Sequence, residues 1–358
     1  MRNEISRLFR EEVLRASPYH VGSAPAIRVK LNQNENPRAL LPPTENLGGI
    51  VSRVEPNRYP SEQPDDLRLA LADYAGVPPE WILVTHGSNE FVHSLCLSFI
   101  ERGRCALIPS PAFSLFRNSV HLFGGDVVEV EATASFDIPV EEFARTAASA
   151  KPHLVILPCP NNPTGRDLSL SEIESIVKST EGMVVVDEAY WEFTARPSAI
   201  SLLHRYDNLI VMRTLSKAFG LAGIRVGYAV CNPDVAAELL KVRLPFMVSR
   251  FDAAIAIDVL RRPEAVQTAA SELRIAQAQL AGELASMRGV SVVPSDTNFV
   301  LFTTPLGSRD VLDGLAARGV LVRDMSGYPR LRGFLRVNAG TEQENRDFLT
   351  ALQAVLAD

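Results

Sequence analysis

Between about residues 80 and 232 short, almost wholly apolar runs alternate with segments of helical period. CALIP (105–109), LVILP (154–158), MVVVDEA (183–189), LIVM (209–212) and GYAVC (227–231) are apolar at successive positions, the mark of strands buried on both faces. The gaps between them are long enough for crossover helices. Together they predict a mostly parallel sheet covered on both sides, a doubly wound α/β core. One such helix is expected over 88–102, where Phe91, Val92, Leu95 and Phe99 share a face and Gly103 closes it. Another, longer one is expected from about Glu264 to Met287.

Beyond the long helix the pattern changes to VSVV (290–293), NFVLF (298–302), VLVR (320–323) and FLRVN (334–338), interleaved with two helical segments. This predicts a smaller α+β domain. The first 45 or so residues, rich in Pro and Asn, are too few to fold alone and are expected to pack on it. The predicted division is a large α/β domain over 45–235 and a small domain made of 1–44 and 236–358.

Composition narrows the function classes. A chain of 358 residues exceeds the roughly 100–200 residues of a single-core domain, in keeping with two units. Its 46% apolar and 22% charged residues are those of a globular protein. A formal net charge of −6 leaves no basic surplus for nucleic acid or an anionic membrane surface, so small molecules are the expected partners. Cys96, Cys105, Cys159 and Cys231 are scattered through apolar surroundings without metal-ligand spacing, which predicts reduced thiols. The opening MRNEISRLFREEV mixes charge throughout, and no run approaches about 18 apolar residues, so a cytoplasmic location is expected.

The chemistry concentrates in TLSKAFGLAGIRVGY (214–228). Lys217 follows a buried-strand pattern and stands where open α/β sheets bind ligands, beyond the carboxyl end of a strand. Thr214 and Ser216 beside it offer hydroxyls, and Arg225 is a cationic fork suited to a phosphate. A lysine between Ser and Ala is, by itself, most often a surface charge. Thirty residues earlier VVVDEAY ends an apolar strand on Asp187, a carboxylate whose burial calls for a positive partner such as a protonated pyridine nitrogen. The plainer alternative is a helix cap. Tyr190 and Asn162, the latter in the turn PCPNNPTG (158–165), are donors suited to the phenolic oxygen of a pyridoxal ring. In VTHGSNE (84–90), Gly87, Ser88 and Asn89 open a predicted helix whose free N–H groups suit a phosphate.

In this order, with the aromatic Phe113 between them, the motifs resemble the fold type I pyridoxal-phosphate enzymes, and more narrowly the histidinol-phosphate aminotransferase family among the class II aminotransferases. The likeness runs from PYHVG (18–22) and LNQNENP (31–37) to the end of the chain. It implies pyridoxal 5′-phosphate held covalently on Lys217, with Asp187 on the ring nitrogen. NRYP (57–60) matches a motif that presents a tyrosine, here Tyr59, to the cofactor phosphate of a partner subunit, so a homodimer is implied. Phe113 matches the ring placed over the cofactor. Arg336, in LRVNAGT, matches the arginine that receives substrate anions; Arg323 is a second candidate clamp, and Tyr19 and Asn34 match positions that cover the substrate. The implied reaction converts L-histidinol phosphate and 2-oxoglutarate to imidazole acetol phosphate and L-glutamate. A threonine-phosphate decarboxylase resembles the same branch in its lysine and arginine segments, and an aromatic amino-acid aminotransferase is a third reading. A ligand-sensing aminotransferase-like regulator would need a DNA-binding module in front of the core, and the acidic balance argues against it.

Overall fold

The computed structural model describes residues 5–18, 27–41 and 44–357. The first strand, β1 (Val29–Lys30), belongs to the small domain; the next seven, β2 (Ile82–Thr85), β3 (Cys105–Ser110), β4 (Asp126–Glu131), β5 (Leu154–Pro158), β6 (Met183–Asp187), β7 (Leu209–Thr214) and β8 (Gly227–Cys231), form one sheet in the order β2-β8-β7-β6-β5-β3-β4. Neighbours from β7 through β6, β5 and β3 to β4 are parallel. Period-two alternation splits the strand residues between two cores. Leu107, Val155, Val184, Val186 and Val211 enter one, whereas Ile108, Ile156, Val185, Ile210 and Met212 enter the other. Burying each such side chain is worth about 1.5–3 kcal/mol, which is why these runs read as continuously apolar. Helix Gly87–Phe99 covers the second face; Asp65–Ala75 and Leu170–Lys178 cover the first. Edge strand β4, DVVEVE, is largely exposed and guards its free side with charge.

Strand β8 runs antiparallel to both its neighbours. The link from β7 holds only a 3₁₀ turn, Ala222–Ile224, and no crossover helix, so the chain returns as a broad hairpin. As a result the end of β2, the end of β7 and the start of β8 meet at one edge, where Gly227 pairs with both Thr85 and Thr214. The helix expected over 88–102 ends at Phe99, because Ile100 is already extended.

The small domain packs β12 (Arg323–Asp324), β13 (Phe334–Asn338), β10 (Phe299–Thr303) and β9 (Ser291–Val293) as an antiparallel sheet, while β11 (Val320–Leu321) pairs in parallel with β1. The VLVR run is therefore shared between two sheets. Val29 and Leu31 join this domain's core, whereas the earlier stretch around Glu12 meets the large domain, where Arg102 donates to Glu12 Oε1 at 2.7 Å and Arg10 to the Leu122 carbonyl at 3.0 Å. The boundary differs from residue 235. Ala256, Val259, Val266 and Leu273 pack in the large domain's core, whereas Leu280, Ala281 and Leu284, further along the helix Pro263–Ser286, pack in the small one. One continuous helix thus crosses between the domains, a feature that hydropathy along the chain does not mark.

Candidate active site

Four strand ends, the first turn of a helix and two small-domain strands converge on a cleft of about 400 Å³. Its lining includes Asn34, Ser88, Asn89, Phe113, Asn162, Asp187, Tyr190, Thr214, Ser216, Lys217, Arg225, Arg323 and Arg336, residues separated by up to 302 positions in sequence. The parallel register puts them there: β5, β6 and β7 end together, so the residues just beyond each strand face the same space.

Lys217 donates from Nζ to the Gln33 carbonyl at 2.9 Å. Burial depresses its amine to about 8, Arg336 and Arg225 push the same way, and Glu35 and Asp187 oppose them. Burial raises Asp187 to about 7, against the Ala189 N–H that its Oδ1 accepts at 3.0 Å. It has no ion-pair partner among the described residues. A carboxyl in that position suits a ligand cation.

At the phosphate end Arg225, in the left-handed region at φ 53°, donates from Nη1 to Ser216 Oγ at 3.3 Å and to the Ala222 carbonyl at 2.8 Å. Thr214 Oγ1 donates to Ser216 Oγ at 3.0 Å. Gly87, at φ +70°, leaves the room this needs, for a Cβ there would lie 2.5 Å from Arg225 Nη2. On Gly227 a Cβ would lie 2.8 Å from the Ser88 nitrogen. Both glycines keep the helix start and the guanidinium together, a cradle of N–H groups, hydroxyl and cation that fits a phosphate.

Asn162 Oδ1 accepts from Arg336 Nη1, and Arg336 Nη2 donates to the Asn32 carbonyl at 3.1 Å. Tyr190 accepts from Asn34 Nδ2 at 2.8 Å and sets its ring edge-on to Phe299. Phe113 caps the helix Ser114–Leu122 and meets Phe116 edge-on at 5.7 Å. Arg323 and Arg336 are register partners across β12 and β13. Like charges so placed repel, and an anion between them reverses the sign.

Tyr59 lies apart from this chain's cleft, 79% exposed and stacked on Phe246 at 4.9 Å. Tyr19 lies outside the described residues. Sequence reasoning missed Gln33 and Asn32, which act through backbone carbonyls and so leave no residue-type signal. It also missed Tyr328, whose hydroxyl accepts from the Ser114 N–H at 3.2 Å, although it stands within the same late segment as the two arginines.

An Asp beneath the cleft, a lysine with a depressed amine and a phosphate cradle at a helix start, on a sheet of this order, define a fold type I enzyme. The model of the family "Aminotransferase class I and II" matches residues 26–352, and the chain belongs to that family. It is 38% identical to the histidinol-phosphate aminotransferase of Chlorobium phaeovibrioides over 99% of each chain. Among solved structures it is similar to the histidinol-phosphate aminotransferase of Sinorhizobium meliloti in complex with pyridoxal-5′-phosphate, with a TM-score of 0.86, 24% identity and 98% and 97% of the two chains covered. It is also similar to the L-threonine-O-3-phosphate decarboxylase of Porphyromonas gingivalis, with a TM-score of 0.80, 23% identity and coverage of 92% and 100%. The family's cofactor is pyridoxal 5′-phosphate, and the carboxyl, donors and cradle of this cleft fit it. The enzyme is a transaminase, acting on an amino donor and a 2-oxo acid. Among the described residues no helix is long and apolar enough to cross a membrane.

Proposed function

We propose that this aminotransferase exchanges an amino group between L-histidinol phosphate and 2-oxoglutarate in histidine biosynthesis, as a homodimer in the cytoplasm, a compartment its free cysteines suit. The observation that carries the substrate reading is the cross-strand pair of Arg323 and Arg336 facing Lys217 across the cleft. Two guanidinium forks accept the phosphate of one substrate and the carboxylate of the other in turn.

Bound at this site, pyridoxal 5′-phosphate supplies an aldehyde that captures amines and a ring that accepts the electron pair left at the substrate carbon. Asp187, ionised against the ring nitrogen, would keep that nitrogen protonated. Asn162 and Tyr190 would donate to the cofactor's phenolic oxygen, Phe113 would cover its ring, and Gly87, Ser88, Asn89, Thr214, Ser216 and Arg225 would hold its phosphate. Lys217, whose amine burial lowers to about 8, would hold the cofactor and, as a free amine, would take the proton from the amino-bearing carbon on its Nζ. Asn34, bonded to Tyr190 and lining the cleft with the two arginines, would cover the substrate. Tyr59, exposed on its own chain, would reach the cofactor phosphate of the partner subunit.

The test is product analysis with histidinol phosphate and 2-oxoglutarate, which should yield glutamate in step with the oxo phosphate. Release of carbon dioxide from phosphothreonine with no need for 2-oxoglutarate would replace this reading with the decarboxylase.

A further inference from the structure

On the face of the sheet opposite the cofactor cleft lies a charged cluster that the transamination chemistry does not use. Side chains alternate across β6 and β7, so Asp187 and Thr214 face the cleft while Glu188 and Arg213 face the other way. Glu188 is 0% exposed and Arg213 2%. One carboxylate there gathers five donors. Oε2 accepts from Arg213 Nε at 3.0 Å and Nη2 at 2.9 Å and from Ser198 Oγ at 2.7 Å; Oε1 accepts from Arg196 Nη1 at 3.0 Å and from the Ala199 N–H at 2.8 Å. Arg213 in turn lies over the Trp191 ring at 3.9 Å.

Arg196 extends the cluster to the next strand. Its Nη2 donates to the Cys159 carbonyl at 3.0 Å and its Nε to Asp167 Oδ2 at 3.0 Å. Cys159 and Asp167 are the entry and exit of the turn that carries Asn162, so one guanidinium clasps both ends of it. Glu188 is next in chain to Asp187, and Arg213 lies four residues before Lys217. Three neighbouring strand ends, each bearing a group that meets the cofactor, are therefore tied to a single buried carboxylate. Replacing a buried ionic cluster by apolar side chains is often neutral or stabilising, so fold stability alone is a weak reason for one. Fixed separation of reacting groups is a stronger one, since a misplacement of about 1 Å is worth on the order of 10²-fold in rate.

We propose that Glu188, Arg196 and Arg213 form a positioning cluster that holds Asn162, Asp187 and Lys217 at fixed mutual spacing from the far side of the sheet. It rests on the cofactor assignment and not on the identity of the amino donor. The test uses the full-length enzyme loaded with pyridoxal 5′-phosphate, before any amine is added. Glu188→Gln and Arg196→Met should each release the cofactor about tenfold faster or more, by analogy with supporting partners of bound metals. Each should also displace the pH midpoint of the cofactor's visible absorbance band. In turnover, kcat should fall further than KM for 2-oxoglutarate changes. Wild-type release and a wild-type midpoint in Glu188→Gln, which keeps size and shape, would overturn the proposal whatever happens to the melting temperature. If Arg196→Met fails to fold, Glu188→Gln carries the same two readouts alone.

Discussion

The two walls of the cleft are built on different principles. The large-domain wall is a row of strand ends in one sheet, where β5, β6 and β7 run parallel and the groups just beyond them are placed by register. The small-domain wall is a pair of short strands, β12 and β13, with a segment around Asn32–Asn34 laid across the gap. Its groups meet the other wall through contacts remote in sequence: Arg336 on Asn162, Asn34 on Tyr190, the Gln33 carbonyl on Lys217 and the Tyr328 hydroxyl on the Ser114 N–H. The difference suits the division of labour between cofactor and substrates. A cofactor that stays bound needs a rigid seat, whereas two substrates that alternate need an anion clamp that serves both.

The largest effect belongs to the rigid wall. Lys217→Ala should lower kcat by about 10⁴-fold and abolish the visible band that borohydride removes from the wild type; an active variant would break the assignment of that wall. Next comes the clamp. Arg336→Ala should lower kcat/KM by on the order of 10²-fold for both the phosphorylated amine and 2-oxoglutarate while leaving the visible band in place, which separates the two walls by spectroscopy and kinetics. Tyr59→Phe should weaken cofactor binding by about tenfold in equilibrium dialysis, and a fully active monomer in sedimentation would remove Tyr59 from the site altogether.

The smallest expected effect concerns stability without cofactor. Asp187 titrates at about 7 in the fold against 3.8 as a free carboxyl, so between these values the folded chain holds the extra proton. Its contribution is fully present below 3.8 and is lost as pH rises through about 7. Cofactor-free Asp187→Asn should therefore gain stability over the wild type as pH is raised from 4 to 7 in urea titrations, with no further gain above that range.

Most of the rigid wall was legible in the sequence. A strand apolar on both faces that ends abruptly in Asp187, or in Thr214 with Lys217 just beyond, announces a polar site at a sheet edge. Gly87 was legible as the start of a helix, though its close approach to Arg225 was not. The reversal of β8 went unread because an apolar run does not state its direction. The small-domain wall was legible only as motifs. Nothing in VLVR and FLRVN says that Arg323 and Arg336 stand opposite each other, or that VLVR divides between two sheets.

The sequence by itself determined five of the seven strands of the large sheet, the helix after Gly87, the long helix Pro263–Ser286 and the residue types its chemistry requires. Each of these depends on neighbours a few positions away, through side-chain period, turn chemistry and the penalty for burying an unpartnered charge. The tertiary structure alone decided which residues of the two domains face each other, where the long helix passes from one core to the other, and that Glu188 gathers three strand ends. Those outcomes depend on strand pairing and packing between positions remote in the chain, and neither composition nor periodicity encodes them locally.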